Sequence, residues 1–439
     1  MKRSGAVLCC VALLALSGCA VGPDYERPPQ SVPEDWGPVL EPGSGPALAD
    51  VAWFELFDDP QLVALIDEAL AANLELRGAL ARVLSAEARA RGARAALLPN
   101  VIGVLQSSPA PGLPDDTTHA LGAALAWELD VFGKLRRGRE AALADLLGTE
   151  DVARAVLVTL VRNVAGAYFR IRELDRRAVI VERTIASQES SLALVRELKG
   201  SGIVSAAEEN QALALLASTR AVLPELRAQR AIAANALALL LGRSPGRVLD
   251  ASPGHEAPSL PSFATGLPAE LLERRPDLRA AEQRLHAATA RVGVAVANRF
   301  PFPTIGVTAL AGRLATDLGD LLDEGDEVLS WGPTAAVPLL DFGRTGAAVA
   351  LADAELRAAA LAWRQAVLAA LGEVADAWIA VDAATEVIEH NRTRVAAAGT
   401  ALRLQKLRFR QGVVAFIEVL DAERQLLAAE QELVAAEYG

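Results

Sequence analysis

The chain has 439 residues, of which 52% are hydrophobic but only 4% aromatic, and it carries 55 acidic against 43 basic residues. The acidic balance argues against binding of nucleic acid, which requires a basic surface. With few aromatic residues and many alanines, the sequence predicts helices that pack closely side by side instead of one bulky core.

The N-terminus reads as a secretory signal that ends at a lipid attachment site. Two basic residues precede an apolar run over residues 6–16, and small residues then lead into Cys19. The run is too short to span a bilayer, which takes about 20 apolar residues. The stretch LSGC at 16–19 resembles a bacterial lipobox, in which the signal peptide (1–18) is removed and Cys19 is acylated. The alternative, an incidental thiol after a plain signal, is disfavoured because an odd exposed thiol is reactive.

Residues 19–50 form a proline-rich segment, which we interpret as a lipidated N-terminal linker. Ala20 follows the cysteine. An aspartate at that position tends to retain lipoproteins at the inner membrane, so its absence favours the outer membrane.

The rest of the chain contains two copies of one unit. Residues 73–99 align with 275–301 at a shift of 202 without a gap, and 129–134 align with 339–344 at a shift of 210. The second shift also pairs Gly202 with Gly412 and Glu208 with Glu418. We therefore predict a first repeat over 51–245, an inter-repeat linker over 246–270 and a second repeat over 271–439; such a period is too long for a solenoid.

Each copy predicts the same order of elements. An alanine-rich helix (about 60–97 and 276–298) precedes two strands (within about 99–131 and 301–342). A very long helix follows, at about 133–199 and 343–411, and such a rod would be roughly 100 Å long at 1.5 Å per residue. A glycine turn then leads into a returning helix, at 205–241 and from Phe416 to the end. Pro224 is expected to kink the first returning helix.

The strand segments alternate apolar residues with small or polar ones over about ten positions, as transmembrane β-strands do. The pattern is clear in residues 121–129, 304–312 and 329–339 and weaker in 101–107. Four strands cannot close a barrel, and an open sheet edge in lipid costs several kcal/mol per unpaired backbone group. The chain is therefore expected to oligomerise: side chains would fill the bore of eight strands from two chains, whereas three chains give twelve strands and a lumen.

Four ordered stretches resemble signature segments of the TolC-like outer-membrane efflux lipoproteins of NodT type: CAVGPDY (19–25), WFELFDDPQL (53–62), LERRPDL (272–278) and PLLDFGR (338–344). The resemblance implies a homotrimer with a twelve-stranded transmembrane β-barrel and a long periplasmic α-helical barrel. It also implies a periplasmic adaptor and an inner-membrane pump as partners. Relatives in this family continue beyond the position of Tyr438 and Gly439, so the C-terminus is expected to be short or truncated.

The same resemblance identifies a candidate periplasmic gate at the start of the last helix. Ile417, Asp421 and Arg424 match apolar, acidic and basic positions that close the tip in the family, and Glu418 matches an acid of some members. Their spacing places Ile417, Asp421 and Arg424 on one helix face, with Glu418 one step round. In a trimer, Glu418 and Asp421 would supply six carboxylates, which favour cations. The competing interpretation is a solvated helix face.

Trp127 and Trp331 occupy corresponding strands and are candidates for an interfacial aromatic girdle; burial between helices is the alternative. The four histidines lack metal-ligand spacing and are expected in solvent or linkers: His119, His255, His286 and His390. Asp341-Phe342-Gly343 mimics a kinase tripeptide, but without a phosphate loop we read it as a strand-to-helix turn. We thus expect no enzyme, cofactor or metal site.

The predicted function is passive conduction of small molecules, such as drugs, metals or other toxic compounds, from a pump and adaptor to the exterior. Two alternatives remain open at this stage. One is the outer-membrane channel of a type I protein secretion system, which the lipobox mildly disfavours. The other is a periplasmic coiled-coil adaptor or structural lipoprotein, which would lack paired barrel strands.

Overall fold

The computed structural model describes residues 20–29, 33, 57–109, 117–246, 248–249, 270–299, 301–323 and 325–439. The predicted signal peptide, the acylation site Cys19 and most of both predicted linkers lie outside the described residues, as does His255.

The first copy contains four helices and two strands. Helix α1 (Pro60–Ala72) and helix α2 (Leu74–Ala95) precede strands β1 (Asn100–Pro109) and β2 (Thr117–Leu129). Helix α3 (Lys134–Gly200) and helix α4 (Ala206–Leu240) follow. The prediction of a single helix at about 60–97 is therefore wrong in one respect, because the structure has two helices separated at Asn73.

The second copy repeats this order. A single turn, α5 (Leu271–Arg274), precedes helix α6 (Pro276–Ala297), strands β3 (Thr304–Ala315) and β4 (Asp326–Ala336), and helices α7 (Arg344–Arg410) and α8 (Phe416–Tyr438). The chain thus supplies the four strands that the sequence predicts. Strand β4 ends three residues earlier than the alternation over 329–339 suggested.

Local sequence explains where the helices begin. Asp59 caps α1 by accepting hydrogen bonds from the backbone N–H of Gln61 and Leu62, and Pro60 occupies the first position, where no donor is needed. Helix α4 begins with a capping box formed by Ser205 and Glu208. The preceding turn uses Gly202 at φ 72°, and the matching turn before α8 uses Gly412 at φ 73°, a left-handed conformation that favours glycine.

The interruption at Asn73 is held by a buried side-chain amide. Its Nδ2 donates to the carbonyl of Leu240 at 2.9 Å, and its Oδ1 accepts from the backbone N–H of Leu76 at 2.9 Å. The residue is 5% exposed. It therefore ends α1, starts α2 and ties both to the end of α4.

The four strands form one antiparallel sheet in the order β1-β2-β3-β4. The central pair joins the two copies, with Gly122 opposite Gly312 and Trp127 opposite Val307. Among the described residues, the outer edges of β1 and β4 pair with no further strand. The sheet is therefore open at both sides within one chain.

The chain divides into two compact units, each built from both copies. The first includes the sheet and takes in the described residues of 1–32, 79–155 and 271–370; the second takes in those of 33–78, 156–270 and 371–439. The largest cluster of buried side chains in the second unit joins α1, α3 and α4 and contains Leu62, Ile66, Val164, Tyr168, Ile171 and Leu237. Helix α7 is much more exposed: of its 67 residues, only Ala352, Trp363, Val367 and Ala370 are buried.

Candidate functional site

Helix α8 buries one side and exposes the four predicted gate residues on the other. Phe416, Val419 and Leu420 are each 1% exposed. The exposed residues are Ile417, Glu418, Asp421 and Arg424. The structure therefore places the predicted gate residues together on the open face of the helix.

The polar members of this set interact with each other. Arg424 Nη1 donates to Asp421 Oδ1 at 3.0 Å, and both side chains are about half exposed. Such an exposed pair contributes only about 0.2–0.5 kcal/mol to helix stability. The pair therefore leaves the Asp421 carboxylate about half exposed to solvent.

The start of α8 is fixed by packing beneath the gate residues. The ring of Phe416 lies 5.1 Å from that of Phe409 in the preceding helix. Phe416, Val419 and Leu420 join Leu192, Val195 and Leu216 in one apolar cluster. Helices α3, α4 and α8 thereby share a core next to the Gly412 turn.

A buried charged residue in α8 was missed by the sequence reasoning. Glu423 is 2% exposed, and its Oε1 lies 2.8 Å from Lys406 Nζ and accepts from Ser191 Oγ at 3.1 Å. A signal was present, because Phe416, Val419, Leu420 and Glu423 follow the helical spacing of a buried face. A carboxylate at the fourth position of that face indicates a buried ion pair.

The two candidate girdle residues lie on one face of the sheet. Trp127 is opposite Val307 and Trp331 is opposite Ala309, and residues two apart in a strand face the same side. Trp127 is 39% exposed and Trp331 73% exposed, so the alternative of burial between helices does not describe them in one chain. The Trp127 indole N–H donates to the Leu97 carbonyl at 3.0 Å.

The face that carries Trp127 and Trp331 also exposes the large apolar side chains of Val101, Leu105, Leu121 and Leu329. The opposite face forms a concavity of mixed lining, in which small or polar residues such as Gln106, Ala120, Ala124, Thr308 and Ser330 alternate with the aliphatic side chains of Ile102, Val104, Leu310, Leu314 and Val328. Polar side chains such as Gln106, Thr308 and Ser330 thus lie on the concave face and both tryptophans on the other, a difference that agrees with a lumen on the concave side and lipid on the other.

The two strand-to-helix turns use the same aspartate device. Asp130 accepts hydrogen bonds from the backbone N–H of Leu135 and Arg136. In the second copy, Asp341 accepts from the backbone N–H of Gly343 and from both the N–H and the hydroxyl of Thr345. These bonds, led by that from the Thr345 hydroxyl, lower the pKa of Asp341 to about 2. The aspartate thus caps a helix N-terminus.

The N-terminal segment 20–27, named here the strap, is bound by both copies. The backbone N–H of Val21 donates to the Phe132 carbonyl at 3.1 Å, and Asp24 pairs with Arg137 at 2.5 Å. Arg27 and Tyr25 both donate to Glu282. The strap therefore connects the start of α3 with α6.

The environment of His286 differs from the expectation of a solvated histidine. Its ring stacks on Tyr25 at 4.5 Å, and its Nε2 lies 2.9 Å from Glu140 Oε1. Burial tends to raise the pKa of Glu140, but hydrogen bonds from Arg137 and His286 outweigh it, and the net pKa is lowered. The expectation for His286 is therefore wrong, because the strap covers the ring.

The other described histidines have single polar neighbours. Ser107 Oγ lies 2.7 Å from His119 Nδ1, and His390 Nε2 lies 3.5 Å from Glu386 in an exposed pair. Within the part of the chain that the structure describes, no group of three or more His, Cys, Asp or Glu side chains is arranged to hold a metal ion.

Comparison with known proteins places this architecture in one family. A profile described as "Outer membrane efflux protein" matches residues 65–243 and 267–439, one range for each copy. The chain is 34% identical over 422 residues to the outer membrane protein OprJ of Pseudomonas aeruginosa, covering 94% of this chain and 88% of that protein. It is also 34% identical over 442 residues to the cation efflux system protein CusC of Escherichia coli, covering 98% and 94%.

A solved structure shares the fold. The outer-membrane channel OprN superimposes with a TM-score of 0.87 at 32% sequence identity, covering 95% of each chain. The two repeats, the helical regions and the β domain thus match a known outer-membrane channel over almost the whole length. The chain belongs to the outer membrane efflux protein family and is an efflux channel of the outer membrane.

Proposed function

We propose that three copies of this chain form the channel, each contributing four strands to a twelve-stranded barrel that is continued by an α-helical barrel in the periplasm. The observation that carries this proposal is the open four-stranded sheet, which has an apolar face and, among the described residues, no partner strand at the outer edges of β1 and β4. Such edges must pair with other chains in lipid. The exposed leucines of α7, such as Leu351, Leu361 and Leu368, also favour subunit contacts.

The proposed organisation assigns each segment of the chain a place in this assembly. The signal peptide (1–18) is removed, and the linker 19–50 carries lipid on Cys19 in addition to the barrel anchor. The repeats at 51–245 and 271–439, joined by the linker 246–270, contribute equally to sheet and helices. Trp127 and Trp331 form part of an aromatic belt, since both lie on the apolar face of the sheet.

The proposed gate consists of Ile417, Glu418, Asp421 and Arg424, repeated three times around the axis. This proposal is supported by the exposure of all four residues on one face of α8. The other face of the helix is held in place by the apolar cluster described above. Carboxylates that ring a pore attract cations and repel each other unless paired. The contact from Asp421 to Arg424 would then set how much negative charge faces the lumen.

The channel is proposed to act passively, without catalysis or cofactor, between a periplasmic adaptor with an inner-membrane pump and the exterior. Cargo is expected to be small molecules. The name of CusC refers to cations, but among the described residues of this chain no metal-ligand cluster lines a path, so selection of cargo would rest mainly with the pump.

The test combines oligomeric state with conductance. The purified acylated protein should have the mass of three chains in detergent and should form ion-conducting pores in planar bilayers. Deletion of the gene should increase sensitivity to a panel of drugs, solvents and metals. A monomer that is soluble without detergent, or the absence of any conductance in planar bilayers, would contradict the proposed channel. A defect in protein secretion without increased sensitivity to drugs, solvents or metals would favour protein export.

A further inference from the structure

We infer that Glu423 and Lys406 form a latch that positions the gate helix α8 against α3, and this inference rests on the gate proposed above. Glu423 lies two residues beyond Asp421 and one before Arg424, on the opposite, buried side of the helix. It is therefore a positioning residue: it contacts no cargo but fixes the helix that carries the exposed gate residues.

The latch joins three helices from both copies. Lys406 of α7 contacts Glu423 Oε1 at 2.8 Å and also donates to Ser187 Oγ of α3 at 2.7 Å. Ser191, one helical turn after Ser187, donates to the same oxygen of Glu423 at 3.1 Å. The first copy thus contributes two hydroxyls to a charge pair formed by the second copy.

Comparison of the copies indicates that this pair is not needed to build the repeat. At the shift of 210 residues, Glu423 corresponds to Leu213 and Lys406 to Arg196. Arg196 pairs instead with Glu209 on the exposed side of its own hairpin, at 3.0 Å. An apolar residue therefore serves at this position in the first copy, and the buried carboxylate is a property of the gate-bearing copy alone.

The burial of the Glu423–Lys406 pair indicates that it fixes the position of α8 more than it increases the stability of the fold. The Glu423 side chain is 2% exposed and that of Lys406 is 28% exposed, so both charges lose hydration. Among the described residues, Glu423 Oε1 takes both contacts while Oε2 accepts no hydrogen bond. A buried ion pair whose lost hydration is only partly replaced by hydrogen bonds adds little net stability compared with apolar side chains. Removing one partner is nevertheless costly, because the other charge is then left buried without a counter-charge. Such a pair fixes one arrangement of the helices and can be released.

A second ion pair between α3 and α8 lies nearer the surface. Arg183 contacts Glu430 at 2.5 Å, with an arginine side chain that is 64% exposed and a glutamate side chain that is 14% exposed. Surface pairs of this kind contribute little to stability. The Arg183 pair therefore serves as a matched control that joins the same two helices.

The experiment measures helix position and conductance separately. Spin labels are attached at Ser190→Cys in α3 and Gln425→Cys in α8, which are both exposed sites. Double electron–electron resonance then measures the distance between the two labels, and hence between the helices. The labelled full-length chain is mixed with excess unlabelled chain so that pairs within one chain dominate. The same variants are then reconstituted in planar bilayers.

Glu423→Gln and Lys406→Met are expected to broaden the distance distribution towards longer values and to raise single-channel conductance. The charge swap of Glu423→Lys with Lys406→Glu should restore both readouts, and Arg183→Gln should change neither. An unchanged distance distribution in Glu423→Gln overturns the latch. A changed distance with unaltered conductance overturns its role at the gate. A wild-type protein that forms no pore contradicts the proposed channel itself.

Discussion

Asp421 is an exposed, charged residue whose ion pair with Arg424 contributes little to stability. Its contact with Arg424 at 3.0 Å is solvent-exposed, so the carboxylate can be removed with little effect on the helix. Asp421→Ala is expected to increase ion leak through the reconstituted channel and to reduce its preference for cations, because the proposed trimer would lose one ring of negative charge at its proposed gate. Conductance and reversal potential in planar bilayers measure both effects.

A control for that experiment is Glu225→Ala, which removes an exposed acid from α4, outside the proposed gate. It should leave both quantities unchanged. Identical conductance and selectivity in Asp421→Ala and wild type would exclude this residue from the gate.

The three tyrosines of the chain, Tyr25, Tyr168 and Tyr438, all have raised pKa values, with burial as the main cause. For Tyr168 the pKa rises to about 12, since burial is reinforced by its hydrogen bond to Asp59. A raised folded pKa favours the neutral phenol, so this stabilisation is complete below pH about 10 and is lost as pH rises towards about 12.

We therefore expect much less than half of the tyrosine to be ionised at pH 10 in the folded protein. Near-ultraviolet absorbance of phenolate, recorded against pH, gives the ionised fraction. The same titration in guanidinium should return to the ordinary value near 10. A native titration with its midpoint near 10 would show that these rings are accessible to solvent.

At the level of single elements, the centre of the sheet depends on two glycines. A Cβ added to Gly122 would lie 2.7 Å from Gly312 Cα, and one added to Gly312 would lie 2.6 Å from Gly122 Cα. Gly312→Ala should therefore force β2 and β3 apart, with an overpacking cost of about 1–3 kcal/mol. Reduced thermal stability in detergent and a lower yield of assembled oligomer are the expected results.

Gly332→Ala is the matched control, because a Cβ at that position in β4 has no neighbour within 4 Å. Equal loss of assembly in both variants would mean that the sheet tolerates no added methyl anywhere. Equal stability of both would mean that β2 and β3 can separate at no cost.

The sequence predicted the strands and long helices because each depends on short-range patterns. Alternation over β3 and the matching glycine turns at Gly202 and Gly412 are local or repeated signals. The break at Asn73 has no such signal, because the helical pattern continues past it. Its side-chain amide donates to the carbonyl of Leu240, which lies 167 residues away in the sequence. The contacts of Glu423 with Ser191 span 232 residues, and periodicity does not reveal which distant residue fills a buried position.

Considered as a whole, the molecule holds its N-terminus through residues far along the chain. Glu282 accepts from both Tyr25 and Arg27, and these contacts span 255–257 residues. Glu282→Ala should release the strap, because both donors lose their acceptor. Hydrogen exchange at residues 20–29 is expected to accelerate, since the Val21 amide is then less protected by the Phe132 carbonyl.

Glu87→Ala, at an exposed position of α2 in the same unit, should leave exchange in the strap unaffected. Equal exchange rates in the Glu282 variant and wild type would show that the backbone contact alone holds the segment.

The strap also constrains the order in which the protein can be completed. Residues 20–27 leave the ribosome early, yet Glu282 and His286, to which they bind, are synthesised more than 250 residues later. Until the second copy has folded, the N-terminal segment has no complete docking surface. If Cys19 is acylated as proposed, the end of the chain that receives the acyl groups therefore remains accessible to processing enzymes and carriers until α6 has been synthesised and folded.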